Sequence, residues 1–359
     1  MRIAILGRDP HIERLAQAAA AAGHGLIAVQ NDAGDQVAGF GLVARRVPDW
    51  MHLMDPGTAD AVAVGRADAE QESLRAEQLR RLAQARVALL VVHPAVLNAD
   101  VYYELDMIRQ ETQGVLIPHI PGQNAPAVLA LADWIRESLG MGCALRAVRV
   151  ERTLPSVDRS SVLGQLSRDL VVTSRLLGTA DTLLAFVSTP PSYAGLTVQW
   201  QPGAGPGVKW SLVSEGGLAR GLLAVEASHE SVELVMPEDA SHWQFSRVGA
   251  SGPVAAPVPY DDAAAAIEHL EACLASPSLS EPFTLAARCV ETCQLVDKSL
   301  AKGRRIDVGF DNVSESSTFK GIAAATGCGL MMVAMLGLLL VGLADAIGLR
   351  LARFWPLAL

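Results

Sequence analysis

The side chains best placed for chemistry are few. His93 follows the apolar run "ALLVV" (88–92) and precedes Pro94. A histidine at the C-terminal edge of a parallel strand can act as a general acid or base, because open α/β sheets gather their ligands at that edge. The same residue also reads as a loop histidine satisfied by backbone. Asp169 sits beside Arg168 within "RSSVLGQLSRDLVVTSRLLG" (159–178). It reads either as a carboxylate facing a substrate or as half of an ion pair that packs the helix.

A second set concerns phosphate and ribose. Gly7 ends the first apolar run and opens "GRDPHI" (7–12). A dinucleotide's pyrophosphate lies on the helix N-terminus at such a turn, and the usual fingerprint has three glycines. Here Asp9 holds the second place and Ile12 the third. A carboxylate at the second place blocks close approach and repels phosphate; alternatively Asp9 is an N-cap with Pro10 behind it. Arg8 offsets some of that repulsion. Asp32 lies 25 residues after Gly7. It reads as an acceptor for ribose hydroxyls, favouring NAD over NADP, or as a turn aspartate.

These residues need elements to hold them. "RIAIL" (2–6), "LIAVQ" (26–30), "DAVAVG" (60–65), "ALLVV" (88–92) and "VLIPHI" (115–120) read as continuous apolar strands. The intervening "HIERLAQAAAAAG" (11–23), "EQESLRAEQLRRLAQA" (70–85) and "YYELDMIRQET" (102–112) read as helices. Buried strands with helical crossovers predict a Rossmann-like parallel sheet over 1–122. From 123 to 310, "CALRAVRVERT" (143–153), the helix bearing Asp169 and a series of short period-two strands predict an α+β domain with an open antiparallel sheet. Helices over about 261–275 and 282–302 close it. On the helices, Asp106 and Arg109 are spaced to pair on a solvated face, and Cys289 and Cys293 share one packed face.

The chain ends differently. After a polar linker (311–320), residues 321–344 contain no charged side chain, and a short tail (345–359) follows. A bilayer core needs about 20 apolar residues in a helix. The segment reads as a single transmembrane helix and makes the lipid bilayer a partner. The 359 residues are 50% hydrophobic, and the mean hydropathy of +0.28 agrees. With no signal peptide read at the N-terminus, the main domains are expected on the cytoplasmic side. A net charge of −9 argues against general nucleic-acid affinity. Five cysteines without a CxxC pair argue against a disulfide framework and a metal site, and fit a reducing compartment.

The order of elements, the helix with Asp169 followed by "LLG" (176–178), and "LVDKSLAKGRRIDV" (295–308) resemble the Gfo/Idh/MocA oxidoreductases, the glucose–fructose oxidoreductase and inositol dehydrogenase family. The resemblance spans about residues 1–310. It implies bound NAD(P), contacted by Gly7, Arg8, Asp32 and Pro94, and hydride transfer at a sugar- or polyol-like hydroxyl carbon. It also implies a Glu-Lys-Pro signature after the fourth strand, where this chain has Val92, His93 and Pro94. Val162 and Leu166 stand where the family carries an aspartate and a histidine, and Gly65-Arg66 replaces Thr-Pro. An acid–base group contributes about 10²–10⁴-fold, so losing both the lysine and the histidine should nearly abolish ordinary dehydrogenase turnover. Two expectations follow. One is a membrane-anchored oxidoreductase with a degenerate site in which His93 and Asp169 carry what proton transfer remains. The other is a catalytically inactive member acting as a tethered binding or scaffold protein, with homo-oligomer contacts through the antiparallel sheet.

Overall fold

A computed structural model describes residues 1–7, 9–29, 43–67, 69–188, 192–203, 205–215, 220–237, 242–248, 260–279 and 282–309. Arg8, Asp32 and the apolar segment 321–344 lie outside them. The contacts divide the chain into one unit, Met1–Ile306, and a second, Asp307–Leu359.

Six strands form a parallel sheet: β1 (Arg2–Leu6), β2 (Gly25–Val29), β3 (Ala44–Val47), β4 (Ala61–Val64), β5 (Ala88–Val92) and β6 (Leu116–His119). Their order is β3-β2-β1-β4-β5-β6, and every neighbouring pair is parallel. The central strands are apolar at consecutive positions because both faces are covered. Ala4 and Leu6 pack to one face, against α2 (Glu72–Gln84) and α3 (Ala99–Thr112). Ile3 and Ile5 pack to the other, against Ile12, Leu15 and Ala19 of α1 (Pro10–Ala21). β3 was not foreseen from the sequence. Its Arg45 and Arg46 are exposed on an edge strand, so it lacks the apolar run of the buried strands.

After α4 (Pro126–Gly140), the chain builds a second sheet from β7 (Leu145–Leu154), β8 (Ala180–Phe186), β9 (Thr197–Pro202), β10 (Val208–Glu215), β11 (Arg220–Ala227), β12 (Ser231–Pro237) and β13 (Gln244–Val248). Their order is β13-β12-β11-β7-β10-β9-β8, with the two-residue β14 (Ile306–Asp307) at the β8 edge. The expected antiparallel sheet is in fact mixed: β7 and β10 run parallel, while β7 and β11 run antiparallel. β7 leads into the long crossover helix α5 (Arg159–Leu177), and the returning β8–β9–β10 meander ends beside β7 in the same direction. Strand direction leaves no trace in a period-two pattern, so the sequence reading missed it. The expected strand over 304–310 is reduced to Ile306–Asp307.

Two late helices return to the parallel sheet. Ile267, Leu270 and Cys273 of α6 (Asp262–Ala275) join the α1 face, while Ala286, Ala287 and Val290 of α7 (Thr284–Lys302) join the α2/α3 face. α7 also packs on α5 and β8. The two sheets are therefore bound into one body, with the C-terminal edge of β1, β4 and β5 facing α5. Among the described residues no helix is long and apolar enough to cross a membrane.

Candidate functional site

Gly7 leaves β1 at φ +113°, a conformation that disfavours a side chain. A Cβ there would also lie 3.0 Å from the Gly65 backbone. The β1 and β4 ends are joined at this point by the Gly65 N–H, which donates to the Leu6 carbonyl at 2.7 Å. Gly65 in turn leaves room for Asp9: a Cβ at Gly65 would stand 2.5 Å from Asp9 Oδ2. The Asp9 carboxylate fills this space. Its Oδ1 accepts from the backbone N–H of His11 (2.9 Å) and Ile12 (3.1 Å), and its Oδ2 accepts from the Arg66 N–H (2.6 Å). Asp9 is thus the N-cap of α1, and Pro10 supplies no N–H.

This decides how well a dinucleotide fits. The donors that would meet a pyrophosphate at the α1 N-terminus already serve an internal carboxylate, whose charge would repel a phosphate placed beside it. The residues present do not fit the usual pose.

His93 ends β5, where its backbone N–H donates to the His119 carbonyl at 2.8 Å. The following peptide, His93–Pro94, is cis. The imidazole is 1% exposed, lies edge-on to Tyr102 at 5.6 Å between ring centroids, and shares a 2.7 Å hydrogen bond between Nε2 and Ser167 Oγ of α5. Nδ1 is buried without a hydrogen-bond partner among the described residues. Burial, and secondarily the nearby Arg168 charge, push the His93 pKa down to about 3. At neutral pH the ring is uncharged.

Asp169 is also buried, but fully engaged. Arg152 of β7 donates Nε to Oδ2 (2.9 Å) and Nη2 to Oδ1, Trp210 Nε1 of β10 donates to Oδ2 (2.7 Å), and Gln165 Nε2 donates to Oδ1 (3.1 Å). β7 places Arg152 on its inner face by period two, with Val148, Val150 and Leu154. Gly221, opposite Arg152 on β11, makes room for the guanidinium: a Cβ at Gly221 would fall 2.1 Å from Nη1. The expected pairing of Asp169 with Arg168 is replaced by this cross-element pair. Arg168 turns the other way, its Nη1 donating to His11 Nε2 at 2.5 Å.

Both His93 and Asp169 line a cleft of about 980 Å³ between the parallel-sheet edge, α5 and the mixed sheet. They are not hydrogen-bonded to each other; each has its own partners. Pro94 lines the same cleft. The cleft also brings in residues that sequence reasoning missed. His119 ends β6 and pairs with Asp262 at 3.3 Å; Asp262 also accepts from the Gly122 N–H at 3.0 Å. His11, Arg14, Arg66, Arg152, Arg168 and Arg220 also line it. His119 closes a buried parallel strand in the structure, but in sequence Ile120 carries the apolar run past it. Arg66 reaches Ser160 across Gly164, where a Cβ would come within 2.9 Å of its Nη1. Away from the cleft, Arg109 and Asp106 pair at 3.0 Å, and burial pushes the Cys289 thiol up to about 12. Among the described residues no group of three or more His, Cys, Asp or Glu is placed to hold a metal.

No family model matches the chain, and no curated protein matches it. Solved structures do. A myo-inositol dehydrogenase from Corynebacterium glutamicum is 14% identical, with TM-score 0.65, covering 86% of this chain and 99% of that one. An oxidoreductase from Agrobacterium radiobacter, in complex with NAD+, L-tartaric acid and magnesium, is 14% identical, with TM-score 0.65 and coverage of 86% and 98%. A levoglucosan dehydrogenase in complex with NADH and levoglucosan is 14% identical, with TM-score 0.64 and coverage of 86% and 99%. Over most of its length this chain therefore has the fold of these three structures.

Proposed function

We propose that this protein is an NAD(P)-dependent oxidoreductase of the Gfo/Idh/MocA type in architecture, directed at a sugar- or polyol-like ligand, whose catalytic centre is degenerate. The observation that carries this reading is the cleft. It lies at the C-terminal edge of the parallel sheet and is walled by α5 and the mixed sheet, within a fold shared with an NAD+-bound oxidoreductase and an NADH-bound dehydrogenase. Ligands of open α/β sheets collect at that edge. The degenerate part of the proposal rests on the two carboxylates and the histidine. Asp9 holds the donors that a pyrophosphate would use, Asp169 is saturated by four side-chain N–H donors, and His93 is neutral and enclosed. A general acid or base must reach the proton it moves. The α1 terminus does not fit a dinucleotide in its usual pose. A dinucleotide bound in this cleft would supply hydride chemistry; this chain's residues supply the basic lining and the walls.

The proposal includes the tether. Residues 321–344 would hold the protein at a membrane as a single C-terminal anchor, with the main domains cytoplasmic. The mixed sheet's outer face, with exposed Phe186 and Val213, would serve contact with a second copy.

The test is a thermal-shift titration of the full chain in mild detergent with NAD+, NADH and NADPH. A ligand at 100 times its Kd stabilises by about 2.7 kcal/mol. Stabilisation by any of the three supports the oxidoreductase reading. No shift at millimolar cofactor overturns it in favour of the second reading, a tethered binding protein, which the Asp9 plug specifically favours.

A further inference from the structure

The basic wall of the cleft contains a charge that has no salt-bridge partner among the described residues. Arg168, partly buried on α5, makes two hydrogen bonds among the described residues, to His11 Nε2 at 2.5 Å and to the Gly164 carbonyl at 3.5 Å. Neither acceptor carries a negative charge. A guanidinium only donates, so His11 Nε2 must be the acceptor and the ring neutral. Burial, and then the Arg168 charge, hold the His11 pKa well below its usual value, in agreement. Arg168 itself stays protonated at neutral pH, its pKa pushed down by burial only to about 10.

The two carboxylates nearest Arg168 have other duties. Asp9 caps α1 and holds the Arg66 N–H, while Asp169 holds Arg152 and Trp210. They favour the Arg168 charge from a distance, but Arg66 and Arg152 oppose it. Five arginines, Arg14, Arg66, Arg152, Arg168 and Arg220, therefore line one cleft, and Asp169 forms a salt bridge with Arg152 but not with Arg168. Removing a charge from water is unfavourable unless an opposite charge or strong acceptors replace the water. An anion at Arg168 would relieve both the desolvation and the mutual repulsion.

We infer that the cleft recognises a sugar- or polyol-like ligand through an anionic substituent, a carboxylate or phosphate, bound by the Arg168 guanidinium beside His11 and Arg66. This deepens the proposed function and rests on its reading of the cleft as a sugar or polyol site. The cleft holds space for such a ligand beside the guanidinium, at about 980 Å³.

The experiment compares three probes by calorimetry on the full chain in detergent: myo-inositol (neutral), glucuronate (carboxylate) and glucose 6-phosphate (phosphate). NADH is titrated in parallel. The expected result is that one charged probe binds at least 10-fold more tightly than myo-inositol, and that inorganic phosphate or acetate competes with it. The charged probe that wins identifies the source of the anion. Arg168→Gln should weaken that probe by about 10–100-fold, the range of a hydrogen bond to a charged group, with Arg168→Lys falling between. Equal affinity for neutral and charged probes would overturn the inference. So would a folded Arg168→Gln that binds the charged probe as tightly as the wild type. Should Arg168→Gln not fold, the wild-type preference among probes and its competition by phosphate still decide. If NADH binds and no sugar probe does, the anion inference fails while the oxidoreductase reading stands. If NADH and all three probes fail, both fall.

Discussion

His93 and Asp169 face the same cleft and are almost equally buried, yet their surroundings are opposite. Asp169 is the centre of a saturated network: four N–H donors from Arg152, Trp210 and Gln165 meet its two oxygens. His93 has one ring nitrogen bonded to Ser167 and the other enclosed with no hydrogen-bond partner among the described residues. The difference teaches that position at a sheet edge makes a residue a candidate, while its hydrogen-bond inventory decides what it can do. A saturated carboxylate stiffens the wall between α5 and the mixed sheet. A neutral, enclosed imidazole is a group kept uncharged by its surroundings.

The comparison breaks most sharply at Asp169. Asp169→Ala leaves Arg152 buried and unpaired, which costs about 3–5 kcal/mol. Chemical denaturation should show it, and replacing both residues together by Arg152→Met and Asp169→Leu should recover most of the loss. A single-variant loss below about 1 kcal/mol would mean that the pair is not buried as described. Next comes Gly221→Ala, which pushes into a guanidinium that cannot move without leaving Asp169; overpacking of this kind costs about 1–3 kcal/mol. The reading fails if that variant is as stable as the wild type.

His93 gives a pH signature. Its folded pKa of about 3 lies below the usual 6.5, so the folded state resists protonation and the unfolded state accepts it. The associated stability is complete above pH 6.5 and is lost as the pH falls from there toward 3. One such group removes about 2 kcal/mol between pH 7 and pH 5. His11 acts in the same direction, so the measurement is the difference in slope between wild type and His93→Gln. Identical slopes would show that His93 is charged, or exposed, in the native protein. The smallest effect is at Asp9. Asp9→Ala removes a helix cap worth about 1 kcal/mol, whereas Asp9→Asn preserves most of it. The gain should appear elsewhere: Asp9→Gly is expected to tighten NADH binding in the thermal-shift assay, and no change would separate the plug from cofactor affinity.

Parts of this arrangement were legible in the chain and parts were not. Five of the six parallel strands were, because strands covered on both faces must be apolar at consecutive positions. The edge strand at Ala44–Val47 was not, because its exposed arginines erase that signal. Asp9 followed by Pro10 already carried the mark of a helix cap, and the structure bears that out. The Arg152–Asp169 pair was hidden. It joins a strand and a helix 17 residues apart, and the nearer Arg168 was the more natural partner on the page. His11 opens an alanine-rich helix and His119 lies within the apolar run 115–120, so neither carries in sequence the strand-end position that marks His93.

By itself the sequence determined the alternation of strand and helix, the burial of the parallel sheet and the filling of the glycine-fingerprint turn by a carboxylate. Those follow from local patterning and from the chemistry of single residues at fixed spacing. Tertiary structure alone decided that β7 and β10 run parallel, that α6 and α7 return to cover the first sheet, and which acceptor each guanidinium of the cleft obtained. Direction, coverage and ion-pair choice depend on which distant segments meet, and charge partners in a closed cleft are settled by geometry that no sequence period encodes.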